Sequence, residues 1–435
     1  MKKLLIIFFC FQLLATMSAC EKPIPVLPPD PDPEPPIEQP IDKTKLSVVW
    51  RSTYKAPSGV FGFHDLVFSG DYIVLSSIGD DDVRYPAADI RVFHKLTGEL
   101  HPAWTHEAGS LYDRRQIDDC IVGGNNQNTI FATNKRELYA FDIHTGRRLW
   151  KKNITPSYYG MHAISTMGSF VLQNYGPPEA LSKSWYRISA FDHLSGQERI
   201  ITQLNIRDNL EFLVCPPAWT TNAESDTLLL FLTGGVNFNT HATLIDAYCY
   251  NVTQNKIEWH QKDLTPNGCS SGSKYAPIII NNNKVIFQGL YSIHCFDIGT
   301  GELIWQYDKS WQEGYAETPF LYHKGRLLVR EGREGILYCY DAQTGALLWQ
   351  NSVIKAYPSP WGRMDTYNDK LYFTSWKGST ARVLYCVSIA TGEVEWYDTS
   401  MRIFGGVTID QNTGYLYCNT DRSVLCVDLN KAPRK

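Results

Sequence analysis

One pattern returns eight times along this chain, and a chain made of eight copies of one supersecondary unit has few folds open to it. Its clearest copies are LYAFDIHTGRRLW (Leu138 to Trp150), IHCFDIGTGELIW (Ile293 to Trp305), LYCYDAQTGALLW (Leu337 to Trp349) and LYCVSIATGEVEW (Leu384 to Trp396). Fainter copies begin at Ile90, Ile188, Ala247 and Val424. Phe93, Phe141, Phe191, Tyr250, Phe296, Tyr340, Val387 and Val427 align, at spacings of 40 to 59 residues. Each copy alternates apolar residues up to an Asp, turns through Thr-Gly and leaves on a second apolar run, which is a β-hairpin. Two more strand-like runs precede each hairpin, as Ala276 to Ile280 and Lys284 to Gly289 do. One period therefore holds about four strands, the content of a propeller blade. Period-two apolar residues and frequent Gly and Asn clusters exclude a helical repeat. The prediction is an all-β, eight-bladed β-propeller of four-stranded antiparallel blades over residues 46–435, a monomeric ring.

The eighth copy stops near Leu429 without a strand ending in Trp, whereas LSVVW (Leu46 to Trp50) is that strand with nothing before it. The N-terminal strand is therefore expected to complete the last blade and remove two free edges.

Recurrence at one slot separates structural residues from catalytic ones. Asp142, Asp297 and Asp341 are read as turn caps that accept backbone N–H groups, and Gly146, Gly301 and Gly345 as suppliers of the positive φ the turn needs. Trp150, Trp259, Trp305, Trp349 and Trp396 share a slot suited to packing between neighbouring blades rather than to stacking on sugars. Cys249, Cys295, Cys339, Cys386 and Cys426 occupy the slot that holds Ala140 and Ala190 elsewhere, so they read as small buried apolar groups. Cys120, Cys215, Cys269 and Cys418 have no assigned slot.

Before the repeats, residues 1–19 carry Lys2, Lys3, an apolar run from Leu4 to Leu14 and a small-residue end, the parts of a secretory signal too short to span a bilayer. Met17-Ser18-Ala19-Cys20 resembles the lipobox of bacterial lipoproteins, which implies lipidation of Cys20. Residues 20–45 are rich in Pro with interspersed acids, an extended spacer. With Glu21 rather than Asp after the lipidated Cys, the expected location is the outer membrane, anchored through the N-terminal lipid.

A net charge of -4 gives no electrostatic case for nucleic acid. No H-E-x-x-H or paired C-x-x-C spacing marks a metal site. Gly268-Cys269-Ser270-Ser271-Gly272 fits G-x-S-x-G but leads into a strand, not the helix that a nucleophile elbow needs. Asp80-Asp81-Asp82 reads as a solvated acidic turn rather than a calcium loop.

The recurring aromatic-Asp-x-x-Thr-Gly-x-x-x-Trp over residues 46 to 430 resembles the repeats of quinoprotein-like propellers, a superfamily that includes pyrroloquinoline-quinone dehydrogenases and BamB-type lipoproteins. The dehydrogenases would imply a quinone cofactor under a disulfide of adjacent cysteines, and no two cysteines are adjacent here. No cofactor is therefore expected. Lipobox, spacer and eight blades together look more like the BamB group, which implies a non-catalytic scaffold for a protein partner in the cell envelope. The alternative is a surface propeller that binds or degrades a ligand such as glycan. Long loops expected at Pro216 to Ser225 and Gly234 to His241, with Trp219, Phe238, Tyr275, Trp361 and Arg363 as aromatic or Arg anchors, are the candidate binding elements.

Overall fold

Each repeat folds back on itself because its Asp builds the turn. In a computed structural model, Asp142 Oδ1 accepts the backbone N–H and the hydroxyl of Thr145, both at 2.8 Å. Asp192 with Ser195, Asp297 with Thr300 and Asp341 with Thr344 repeat the arrangement. Burial opposes charge on Asp142, and the Thr145 donors outweigh it, so the carboxyl titrates below its ordinary range. The structure describes residues 46–53, 62–63, 66–78, 90–104, 119–124, 127–133, 137–154, 164–175, 185–205, 210–214, 216–237, 243–264, 276–288, 292–308, 320–330, 335–352, 362–377, 381–401, 403–420 and 423–431.

A hairpin and the two strands before it make one sheet. In blade 5, Ile278–Ile280, Lys284–Gln288, Ser292–Asp297 and Leu303–Asp308 pair antiparallel in that order. Eight sheets stand among the described residues: blade 1 (62–104), blade 2 (119–153), blade 3 (164–205), blade 4 (210–261), blade 5 (278–308), blade 6 (321–351), blade 7 (365–398) and blade 8 (403–428). Blade 8 takes its outermost strand, Val48–Thr53, from the start of the chain, with Val48 opposite Val427 and Thr53 opposite Ser423. Across the same joint Thr408 donates to the Leu66 carbonyl at 2.7 Å, and Lys95 pairs with Asp410 at 3.1 Å. The ring is closed, an eight-bladed β-propeller.

Tryptophans hold neighbouring blades together. Trp150, on the outer strand of blade 2, donates its indole N–H to the carbonyl of His193, the residue after the turn Asp of blade 3, at 3.0 Å. Trp50 does the same to Lys95, Trp259 to Ile298, Trp305 to Ala342 and Trp349 to Ile389. Among the described residues, blade 1 has a single bridge between Phe93 and Leu100 where its fourth strand belongs. Its ring comes instead from the 3-10 turn Pro102–Trp104, whose Trp104 donates to Ile143 at 2.6 Å.

Five of these six rings lie on the turn glycine of the next blade, and Gly146 instead meets the backbone of Ala103 beside Trp104. A Cβ on Gly345, whose φ is +73°, would stand 2.7 Å from the Trp305 ring. The same face-on contact recurs at Gly98, Gly196, Gly301 and Gly392. Glycine here therefore serves close approach as well as turn geometry. Directly across the sheet from the ring sits the small-residue slot: Cys295 pairs with Trp305, Cys339 with Trp349, Cys386 with Trp396 and Ala140 with Trp150. A large side chain opposite a tryptophan would overfill the layer, which is why only Ala or Cys recurs there. Burial pushes the thiols of Cys249, Cys295, Cys386 and Cys426 up to about 12. Cys120 and Cys418 are buried as well, and Cys215 and Cys269 lie outside the described residues.

Blade 4 corrects one expectation. Parts of both expected loops are strand, Ala218–Thr221 in the first and Gly234 to Asn237 in the second, while residues 238–241 lie outside the described residues; Thr227–Asn237 and Thr243–Asn251 pair from Leu228 opposite Asn251 to Val236 opposite Thr243. Gly234 and Gly235 continue this ladder. The inner strand of the blade is divided into Leu210–Val214 and Ala218–Thr221, with Pro216 and Pro217 at the break because neither can donate to a ladder.

Candidate functional site

The five expected anchors are not brought to one place. Trp219 lies on the inner strand of blade 4 beside its first turn, 40% exposed, and donates its indole N–H to the Thr166 carbonyl of blade 3 at 3.0 Å. Arg363 is exposed just before the inner strand of blade 7, the strand end remote from the equivalent turn, and its carbonyl accepts the Val407 N–H at 3.1 Å. Three blades and the length of a strand separate the two. Phe238, Tyr275 and Trp361 lie outside the described residues, as do Cys20, Asp80 to Asp82 and Gly268 to Gly272.

A polar cluster that the repeats do not announce joins the inner strands of blades 6, 7 and 8. The His323 ring sits between the Thr366 hydroxyl at Nδ1 and Asp369 Oδ1 at Nε2, both at 3.0 Å. Lys324 Nζ reaches the same carboxylate at 2.7 Å. With hydrogen bonds from Lys324 and His323, the Asp369 carboxyl is held down at about 2. Asp365 accepts the Thr366 N–H at 2.8 Å and the Ile409 N–H at 2.7 Å. Burial raises the Asp365 carboxyl above its ordinary range, against those donors and the charges of Arg363 and His323. A hydroxyl, an imidazole and a carboxylate in line is the order of a nucleophile relay. Here the hydroxyl is buried, and the Thr366 amide that would stabilise an oxyanion already donates to Asp365. The cluster braces blade 6 to blades 7 and 8.

The seam between blades 3 and 4 is built differently from the other seven, six of them closed by an indole hydrogen bond and the 7–8 seam by the buried ring of Trp396. Two strands of blade 3, Trp185–Asp192 and Glu198–Asn205, carry their bulge between Ile188 and Ser189. In blade 2 it falls between Ala140 and Phe141, two positions nearer the turn. Moving a bulge by two positions reverses which face the intervening residues present. Ile200, eight positions after Asp192 as Trp150 is after Asp142, therefore pairs with Ser189 instead of the Ala190 slot and is 52% exposed, where Trp150 is 8%. Across the seam the turn glycine is replaced by Asn255, at φ 56°. Between these blades lies a cavity of about 500 Å³ lined by Ile200, Leu204, Tyr250, Asn255 and Ile257, among others. Sequence reading passed over it. The available signal was paired: a repeat without its Trp followed by a repeat without its Gly.

Residues 291–404 match the family model described as the outer membrane protein assembly factor BamB. Among solved structures, BamB from Moraxella catarrhalis superposes at a TM-score of 0.57 and 15% identity, covering 88% of this chain and 100% of that one. Quinohemoprotein alcohol dehydrogenase from Comamonas testosteroni gives 0.59 at 13% identity, covering 89% and 77%. Sqt1 from Saccharomyces cerevisiae gives 0.60 at 9% identity, covering 88% and 99%. No curated protein matches the chain by sequence. At these identities the solved structures share the fold.

The dehydrogenase likeness raises the question of a quinone and its metal. Among the described residues no group of three His, Cys, Asp or Glu side chains is placed to share a metal ion. Their cysteines are buried within the sheets, with no adjacent pair over the inner wall of the ring. The described residues do not fit a quinone site of the dehydrogenase kind.

Proposed function

We propose that this chain is a non-catalytic scaffold, anchored at the outer membrane by a lipid on Cys20, that docks a protein partner of the BamB type of assembly machinery. The observation that carries this reading is the match of residues 291–404, blades 5 to 7, to the BamB assembly-factor model. The polar groups on the inner strands support it, because the bonds of His323, Thr366, Asp365 and Asp369 run to one another, to Lys324 and to neighbouring backbone. The proline-rich segment 20–45 serves as the spacer between lipid and ring.

The test is affinity capture from native membranes with the acylated full chain, beside Trp219→Ala, Arg363→Ala and Cys20→Ser. Recovery of a β-barrel assembly protein, reduced by either surface variant, is the expected result, and Cys20→Ser is expected in the soluble fraction. Capture of no envelope protein, with binding to a glycan array instead, would replace the scaffold by a ligand receptor.

A further inference from the structure

The seam between blades 1 and 2 is the one whose indole is carried by a turn. After the Phe93–Leu100 bridge the chain enters Pro102–Trp104, with the His101 N–H on the Val92 carbonyl at 2.8 Å and the Trp104 N–H on the His101 carbonyl at 2.9 Å. One side chain closes this turn from within. His101 Nδ1 accepts the Ala103 N–H at 3.2 Å, so the imidazole carries no proton at that nitrogen and is neutral. What the turn carries is the Trp104 ring, 2% exposed, with its N–H on the Ile143 carbonyl of blade 2. Arg91 donates to the Trp104 carbonyl at 3.2 Å.

Three imidazoles gather where this turn meets blade 2. The Tyr72 ring meets His94, His101 and His144 edge-on, with centroids 6.0, 5.1 and 5.8 Å away. His94 stands opposite Tyr72 in the sheet of blade 1 with its Nδ1 buried and unbonded, and His144 is exposed at the turn tip of blade 2. The charged groups on the elements around them are Asp71, Arg91, Lys95, Glu99, Asp142 and Arg147. Lys95 pairs with Asp410, and Asp142 is bonded to Thr145 with its charge reaching His144. Among the described residues no carboxylate forms an ion pair with His94, His101 or His144. A proton on His101 Nδ1 would therefore set donor against donor at Ala103 and place a second positive charge beside His144 when that ring is charged. Burial and the neighbouring His144 already hold the His101 imidazole below its ordinary value.

We infer that the 1–2 seam is an acid-operated latch, in which a proton on His101 displaces the Ala103 N–H, opens the Pro102–Trp104 turn and withdraws the Trp104 indole from blade 2. At neutral pH the latch is shut. Its sign is that of a base kept neutral by the closed form: closure is complete above the ordinary value of 6.5 and weakens as pH falls through the lower value of the closed seam. The other five hydrogen-bonded indoles sit on outer β-strands and need no such cap. The latch is independent of the scaffold reading.

Hydrogen exchange of the full chain, followed by mass spectrometry at about pH 7.5 and about pH 5.5 and corrected for intrinsic rates, reads the latch. The peptide covering His101 to Trp104 is expected to exchange at least about threefold faster in acid, the linkage factor for half a unit of pKa, while Arg148–Asn153 keeps its protection. His101→Asn sets a neutral Oδ1 acceptor two residues before the Ala103 N–H, the arrangement of an Asx-turn, and is expected to remove the acid response with the turn still closed. His144→Gln, at an exposed tip, is expected to shrink the response, because burial of His101 remains. In ¹⁵N-histidine spectra, with His101 assigned by its loss in His101→Asn, the ring is expected as the Nε2–H tautomer at the higher pH. An Nδ1–H tautomer, equal exchange at both pH values, a full acid response in His101→Asn or an enlarged one in His144→Gln overturns the latch. Acceleration of Arg148–Asn153 together with the turn overturns it as well, since the ring would then be loosening as a whole.

Discussion

The seam between blades 5 and 6 and the seam between blades 3 and 4 use the same hairpins and reach opposite ends. In the first, Trp305 lies over Gly345 and bonds to Ala342, so ring, glycine and carbonyl form one unit. In the second, a bulge two positions farther from the turn faces Ile200 outward, and Asn255 has taken the glycine's place. The difference shows that the motif is a contract between adjacent blades and not a property of either. Once the ring is gone, nothing requires glycine in the next turn, and Asn tolerates the left-handed backbone.

Substitutions on both sides measure how far the comparison holds. Trp305→Ala is expected to cost about 3–5 kcal/mol in denaturant unfolding, as large aromatic truncations in cores do, whereas Ile200→Ala is expected to stay within about 0.5 kcal/mol. Equal losses would mean that the 3–4 seam is as tightly closed as the rest. Gly345→Ala combines strain at positive φ with collision against Trp305 and is expected to cost roughly 1–3 kcal/mol, while Asn255→Gly at the open seam is expected to change stability by a few tenths at most. A large cost for Asn255→Gly would give the asparagine a role that its bond to Tyr250 does not explain. The smallest effect belongs to the ionic brace of blades 6 and 7. Lys324→Met is expected to move the carboxyl ¹³C titration of Asp369 from about 2 toward 3.8, with little change in melting temperature at neutral pH. The sign is that of a depressed carboxylate: its contribution is present above about 3.8 and disappears as pH falls through about 2.

What the sequence revealed and concealed follows the same division. Eight blades were legible because the Asp turn is a local device, fixed within the few residues from Asp142 to Gly146. Trp104 was hidden, since it reaches its slot from a 3-10 turn rather than a strand and so breaks the spacing. Blade 4 was misread because Pro216-Pro217 and Gly234-Gly235 are turn signals by composition, while the ladder running from Leu228 to Val236 is a matter of pairing. The open seam depends on bulge position, a property of two strands together that no single repeat displays. His323, Thr366 and Asp369 share no slot in the repeat, and the ring places them side by side.

The strand that closes the last blade also sets a timetable. Val48 pairs with Val427, 379 positions later, so one of the first ordered segments to be synthesised has no partner until nearly the last. At about 5–20 residues per second that is a wait of roughly 20 to 75 s, during which Trp50 and its neighbours stay unpaired. Contacts so distant along the chain form slowly even afterwards. Refolding should accordingly show its final, rate-limiting phase in the fluorescence of Trp50, after the interior blades have already acquired theirs.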